Sequence, residues 1–374
     1  MSFHWIGHWP LKRSQNDIKI ENKNWRYADF AIHKSHPELL IAVREDHTKP
    51  LPSEVINTLV VVNTTTKAVA TLVSGVDFYA SPRFSPDGTK LAWIEWTHPD
   101  MPWEGSQLYV SNISFQAGTY TLTDTKFVAG KPDAVSVAQP LWASDDTLVF
   151  LSDESTGYYN PWVYRPSASS PPYPILKSPL QEDFADMMWV LGMSRWAVLD
   201  ADTVLATSTR NGMSRLLLIT ISTGETTELE NPYATIFSTV QALSPTSAVF
   251  TAVKIDDAPE LTKLTLSGDR RERAEYTVLK KTSNLARTLP VGVLSKAEAY
   301  SLDGGNIHVL LSLPKNDGYK GPEGEKPPVI VNIHGGPTAR VFPGLSWLTQ
   351  YFTSRGWAWC VICAFDCRNS SCSP

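Results

Sequence analysis

The chain has 374 residues, of which 42% are hydrophobic and 19% charged, with a net charge of −5 and an isoelectric point near 5.9. This is the composition of a folded globular protein with room for two or three domains. It gives no electrostatic reason to expect nucleic acid as a partner. No apolar run approaches the ~20 residues that span a bilayer, and residues 1–13 lack the apolar core of a secretory signal. A cytoplasmic protein without membrane contact is expected.

From Tyr27 to Leu279 the chain reads as short β-type runs separated by Gly, Pro, Asn, Asp and Ser, such as Leu59-Val60-Val61-Val62, Leu91-Ala92-Trp93-Ile94 and Leu148-Val149-Phe150-Leu151. They are too short and too β-branched for helices, and 13 Trp with 27 Pro agree with strands joined by turns. The runs group into units of about four strands opening near Tyr27, Ala80, Ala138, Asp183 and Phe237. Four-stranded units recurring at this period predict a β-propeller of about five blades. One signal repeats in decayed form. Ser85-Pro86-Asp87-Gly88 is a tight turn between two strands, and weaker copies of the turn-plus-strand signal run from Gln139 to Phe150 and from Ala242 to Phe250.

After Val293 the texture changes. Residues 298–314 form a hairpin-like pair around Asp303-Gly304-Gly305. A polar loop follows, and then Pro328-Val329-Ile330-Val331-Asn332-Ile333, a continuous apolar run expected as a strand buried on both faces of a parallel sheet. It ends in His334-Gly335-Gly336-Pro337. A helix is predicted over residues 346–355, with Trp347, Tyr351 and Phe352 able to share a face and Gly356 as C-cap, before a further strand from Trp357. Strand, glycine loop, helix, strand is the opening of an α/β domain. The expected division is a propeller over 24–292 and the N-terminal part of an α/β-hydrolase domain over 293–374.

The loop His334-Gly335-Gly336-Pro337 carries the most chemistry. In α/β-hydrolases such a loop presents a backbone N–H to the oxyanion of a tetrahedral intermediate, and glycine admits the substrate where a Cβ would block it. The bland reading is a tight strand-to-helix connection. No His and no G-x-S-x-G elbow follows Pro337. Gly192-Met193-Ser194-Arg195 and Gly212-Met213-Ser214-Arg215 lack the closing glycine and read as turns inside the propeller. All four cysteines, Cys360, Cys363, Cys367 and Cys372, lie in the last fifteen residues. Their spacings match no common zinc finger, so a shifted reading frame is the better explanation of the tail. No metal and no cofactor is expected.

The stretch Ser81-Pro82-Arg83-Phe84-Ser85-Pro86-Asp87-Gly88 through Met101-Pro102-Trp103-Glu104, with Pro328 to Ala339 and the run from Thr349 to Ala358, resembles the prolyl-oligopeptidase (S9) group of serine peptidases. Within it the dipeptidyl aminopeptidase and acylaminoacyl peptidase branch is the most similar. The resemblance covers residues 24–359. It implies a propeller gating a Ser-Asp-His triad that cleaves short segments from peptide N-termini, with a peptide as substrate. It also implies that the triad belongs to sequence downstream of Pro337 that is not written here, so no catalytic residue is assigned and the chain reads as truncated and inactive. The alternative is a non-catalytic propeller serving as a binding module. Arg44-Glu45-Asp46-His47 ends a strand and is either a solvated loop or a wall of the substrate cavity, where Arg44 and Glu45 would meet a peptide. Trp96, His98, Trp103 and Glu104 sit in a long insertion that either lines the central cavity or packs locally. The oligomeric state is left open.

Overall fold

Val, Ile, Leu and aromatic residues in runs of four to eight, broken by turn formers, pair as antiparallel strands because their branched side chains pack on a pleated surface. The computed structural model describes residues 22–116, 118–210, 212–268, 271–290, 292–302, 307–333, 335 and 341–363. Its strands up to Lys281 form five antiparallel sheets. The first holds Trp25–Ile32, Leu39–Asp46, Ile56–Asn63 and Val69–Val73; the second Phe78–Phe84, Lys90–Trp96, Gln107–Gln116 and Thr119–Gly130. The third holds Val137–Ser144, Thr147–Ser152, Asn160–Tyr164 and Tyr173–Pro174; the fourth Trp196–Asp200, Thr203–Arg210, Met213–Thr220 and Thr226–Leu229. In the fifth, Thr235–Ile236 and Gln241–Ser244 both pair with Ser247–Val253, followed by Glu260–Ser267 and Arg273–Lys281. These are the blades of a β-propeller, and the expected five are present. The fourth begins at Trp196 rather than near Asp183. Ile175, Leu176, Phe184 and Ala185, from the connection before it, are buried plugs between the third and fourth blades.

Each interior blade is apolar on both flanks. In Lys90–Trp96, Leu91 and Trp93 pack with Ile41, Leu59 and Val61 of the first blade, while Ala92 and Ile94 pack with Val137, Leu148 and Phe150 of the third. Val149 and Val163 then meet Trp196, Val204 and Leu217, and Leu205 and Leu216 meet Ile236, Phe250 and Leu264. Strands sandwiched this way read as unbroken apolar runs rather than alternating ones, and each fully buried side chain contributes about 1.5–3 kcal/mol.

The first strand of each blade approaches the first strand of the next, so these strands are innermost. Three of them carry a bulge at one equivalent position. Asp29, Ser81 and Gln139 have φ of 51°, 55° and 49°, beside register irregularities in their ladders. The bulge aims a side chain at the adjoining blade. Asp29 Oδ2 accepts the Ser81 N–H at 2.5 Å and Oδ1 pairs with Arg83 at 3.1 Å; Gln139 Oε1 accepts the Arg195 N–H at 2.7 Å. Indole N–H groups repeat the pattern, from Trp142 to the Arg83 carbonyl and from Trp196 to the Gln139 carbonyl, each at 3.0 Å. The first strands of the first and fifth blades make no comparable contact with each other among the described residues, and Phe30, Ile32 and Leu243 are exposed there.

The repeated turn is the hairpin from first to second strand. Gly88 has φ +76°, its N–H reaches the Ser85 carbonyl at 2.9 Å, and a Cβ on it would fall 1.9 Å from His33 Nε2 of the first blade. Among the described residues no helix is long and apolar enough to cross a membrane.

Beyond the propeller, Ala297–Leu302 and Ile307–Ser312 form the expected antiparallel pair. The sheet continues through Ala358–Cys363 to Val329–Ile333, which runs parallel to it. The last strand is an edge, not a strand buried on both faces: Val329, Val331 and Ile333 are 50%, 52% and 69% exposed. An apolar run reports only that its faces suit burial; whether a neighbour lies on each is a tertiary matter. The helix spans Trp347–Thr353, with the Ser346 hydroxyl accepting the Thr349 N–H. Phe352 packs on Trp359 at 5.5 Å, whereas Trp347 and Tyr351 are exposed, so the three aromatics do not share a buried face. Gly356, at φ +88°, ends the helix as expected.

Two substitutions test this account by denaturant unfolding. Asp29→Ala removes a buried carboxylate from an ion pair and a backbone N–H, and is expected to cost about 3 kcal/mol. Gly88→Ala combines a positive φ with a contact against His33, and is expected to cost about 2 kcal/mol or more.

Candidate functional site

The parallel pair Val329–Ile333 and Ala358–Cys363 sets the geometry. Ile333 lies beside Ile362, so the carboxyl ends of both strands, and the chain leaving each, emerge together. In open α/β sheets this edge is where ligands bind, because backbone N–H groups and helix N-termini gather there. Of the loop motif only Gly335 is described; His334, Gly336 and Pro337 lie outside the described residues. Gly335 is exposed. No described atom lies within 4 Å of a Cβ built on it, and it has no positive φ. Nothing described in the chain itself therefore requires glycine at 335, in contrast to Gly88.

This sheet is attached to the fifth blade. Val253 Cγ1 would meet a Cβ on Gly344 at 2.5 Å, the Leu345 N–H donates to the Lys254 carbonyl at 3.2 Å, and Phe342 meets Phe237 edge-on with centroids 5.6 Å apart. Lys296 pairs with Asp256 at 2.6 Å, and the Gln350 amide bridges the N–H and carbonyl of Ser295. A cavity of about 140 Å³ remains at this junction, walled by Ile255, Leu310, Asn332, Phe342 and Trp359. The docked end of the blade is stiffened by buried charge. Lys281 pairs with Asp257 and with Glu260, the latter at 3.2 Å, and Arg287 reaches Asp257 at 3.3 Å. The Tyr233 hydroxyl donates to Glu260 at 2.8 Å; burial and that carboxylate push its pKa well above the ordinary phenol range. A second cavity, of about 300 Å³, opens at the opposite end of the propeller between Ile32, Arg83, Phe84, Trp142 and Val198.

The other sequence candidates are separated by the fold. Arg44 and Glu45 are neighbours on Leu39–Asp46, so their side chains leave opposite faces of the blade and do not converge on one cavity. Arg44 lies over the Trp25 ring at 4.7 Å, and Glu45 meets His47 at 2.9 Å. The insertion carrying Trp96, His98, Trp103 and Glu104 packs on the second blade and against the connection leaving the third. Trp96 stacks on Phe78 and His98 meets the same ring edge-on. Trp103 is buried against Trp189 with centroids 4.3 Å apart, and Glu104 accepts the Met101 N–H. Gly192 and Gly212 are turn residues with φ +79° and +75°. Ser194 donates to the Trp196 carbonyl and Ser214 accepts the Ile236 N–H, so both hydroxyls are spent on the propeller. A third Gly-x-Ser, Gly344-Leu345-Ser346, supplies the helix cap. The described imidazoles of His33, His36, His47 and His98 bond or stack elsewhere, and no described hydrogen bond joins a serine hydroxyl to an imidazole. Among the described residues no group of His, Cys, Asp and Glu could hold a metal. Of the cysteine tail, Cys367 and Cys372 lie outside the described residues; burial pushes the Cys360 thiol up.

A propeller arc joined through its last blade to the opening strands of an α/β-hydrolase sheet defines the class of the prolyl-oligopeptidase peptidases. No family model and no curated protein matches the sequence; the solved structures do. The chain is similar to a puromycin-hydrolyzing peptidase of Mycobacterium tuberculosis, at 28% identity and TM-score 0.78, over 91% of this chain and 51% of that one. A puromycin hydrolase matches at 27% identity and TM-score 0.78, over 90% and 50%. Prolyl oligopeptidase B of Galerina marginata shares the fold at 13% identity and TM-score 0.63, over 91% and 45%. The chain shares the architecture of these S9 serine peptidases and spans about half the length of the solved structures it matches.

One pH dependence follows from the junction. Burial opposes the Asp257 charge, but hydrogen bonds from Lys281, the Ala258 N–H and Arg287 outweigh it and hold the carboxyl below the usual aspartate range. A depressed folded pKa contributes stability that is complete above the unfolded value of about 3.9 and lost as pH falls through the folded one. Urea midpoints measured from pH 5 to pH 2.5 are expected to fall, and less steeply in Asp257→Asn than in the parent.

Proposed function

We propose that the chain provides the propeller, over 24–292, and the oxyanion-side opening of the hydrolase domain, over 293–374, of a cytoplasmic S9 peptidase. Its substrates are short peptides, cut from the N-terminus in dipeptidyl- or acylaminoacyl-peptidase fashion. The observation that carries this reading is the parallel strand Val329–Ile333, whose carboxyl end is followed in the sequence by His334-Gly335-Gly336-Pro337. It belongs to a sheet fixed to the propeller, in an architecture shared with two puromycin-hydrolysing enzymes. There Gly335 and its neighbours would offer backbone N–H groups to the oxyanion formed when a serine attacks a peptide carbonyl. The glycine that the chain's own packing leaves unexplained is then explained by the substrate's approach.

These 374 residues are proposed not to complete the reaction themselves. Acyl transfer needs a hydroxyl whose proton an adjacent imidazole removes, and every described serine–imidazole pairing that could do so is missing. A second reading, a propeller acting as a binding module, is favoured by one observation, the exposed apolar edge Val329–Ile333, since such edges pair readily with other chains.

The purified chain, incubated with aminoacyl-nitroanilides and acylated peptides, is expected to give no turnover and no labelling by a serine-directed fluorophosphonate. Turnover that the fluorophosphonate abolishes would refute the proposed inactivity. Retention of the chain on an immobilised, non-cleavable N-acylated peptide would support the peptide-binding role, and indifference to it would count against it.

A further inference from the structure

The innermost strands of four consecutive blades carry apolar side chains at equivalent positions, close to the hairpin that leads into the second strand. Ile32 lies opposite Leu40, Phe84 opposite Leu91, Trp142 opposite Leu148 and Val198 opposite Val204. All four line the cavity of about 300 Å³ at the end of the propeller away from the hydrolase sheet. Because each comes from a different innermost strand, the cavity sits on the axis of the arc and not in a seam between two blades. It is open to solvent on the side of the first blade, where Ile32 is 62% exposed.

Two cations, Lys34 and Arg83, join this apolar wall. Arg83 spends only Nη1, which donates to Asp29 at 3.1 Å and to the Pro82 carbonyl at 2.7 Å. Among the described residues its Nε and Nη2 make no hydrogen bond, and these two donors form an edge of the guanidinium that matches both oxygens of a carboxylate. Lys34 is exposed and has no carboxylate partner among the described residues. The nearby acids are committed. Asp29 holds the Ser81 N–H as well as Arg83, and Glu38 lies against His36. Asp87 accepts from Ser85 and Thr89, and Asp145 accepts the Asp87 N–H; neither lines the cavity. Two cations against the single carboxylate of Asp29 leave one positive charge uncompensated.

We propose that this axial cavity binds a small carboxylate that carries an apolar body. The acid lies on the free edge of Arg83 with Lys34 beside it, and the body lies against Ile32, Phe84, Trp142 and Val198. One uncompensated charge suits a carboxylate better than a phosphate ester, which carries about −1.5 to −2. The volume is at the lower end of the ~300–1,000 Å³ usual for ligand pockets, which suits one or two amino-acid residues or a short acid and excludes a folded partner. Two sources offer this chemistry, the carboxy terminus of an apolar peptide and a free apolar acid.

The test is calorimetric titration of the 374-residue protein with N-acetyl-Phe-Leu, with its carboxy-terminal amide and with phenylbutyrate. The dipeptide acid is expected to bind at least tenfold more tightly than the amide. Lys34→Gln is expected to reduce that preference severalfold, and Ile32→Glu, which sets a carboxylate at the mouth, to abolish it. Both positions are exposed and leave the Arg83–Asp29 pair intact, so Tm is expected to be unchanged in both variants. Tighter binding of the dipeptide acid than of phenylbutyrate assigns the cavity to polypeptide carboxy termini, and the reverse order assigns it to free acids. Equal binding of acid and amide, binding of none of the three, or an acid preference that survives Ile32→Glu overturns the proposal.

Discussion

A blade in this fold is a four-stranded sheet with apolar side chains on both flanks, and it is stable only between neighbours. That constraint organises the molecule. It makes strands such as Lys90–Trp96 apolar without a break from Leu91 to Ile94 and stacks the five sheets side by side. It also leaves the relative setting of the blades to be decided, because apolar flanks slide. The bulges at Asp29, Ser81 and Gln139 decide it. Each holds a non-glycine residue in the left-handed region, which costs free energy, and at Asp29 and Gln139 that cost is offset by a side chain that accepts a specific N–H of the next blade. Directional bonds at the innermost strands thus convert non-directional adhesion into a defined arc.

The same logic extends to the hydrolase sheet. It is tied to the fifth blade by residues 341–346, pressed against Val253 and Lys254 with no room for a side chain at Gly344, and by the Lys296–Asp256 pair. Behind that contact the fifth blade carries Lys281, Asp257 and Glu260 in mutual contact. A group of charges so placed resists deformation, because moving one member strands another in a poorly hydrated site. The hydrolase sheet therefore rests on a blade end braced by an ionic cluster.

The glycines illustrate two different causes of one residue choice. Gly88 is required by its own chain, through φ and through the His33 ring. Among the described residues Gly335 meets no such demand. A residue whose choice packing does not explain is where an explanation through a ligand begins, and the peptidase reading supplies one.

The amino-acid sequence by itself determined which segments are strands, that they group in fours, where the hairpin turns fall, and that a parallel strand with a glycine loop follows. These are local matters: side-chain branching, φ preference and periodicity are written within a few residues of where they act. It misplaced the start of the fourth blade, which lies at Trp196, after the buried plugs Phe184 and Ala185. It also took Val329–Ile333 for an interior strand. Only the tertiary structure decided that this strand is an edge. Burial and convergence depend on what lies across a sheet from a residue, and that neighbour is often fifty residues away in the chain, as Ser81 is from Asp29.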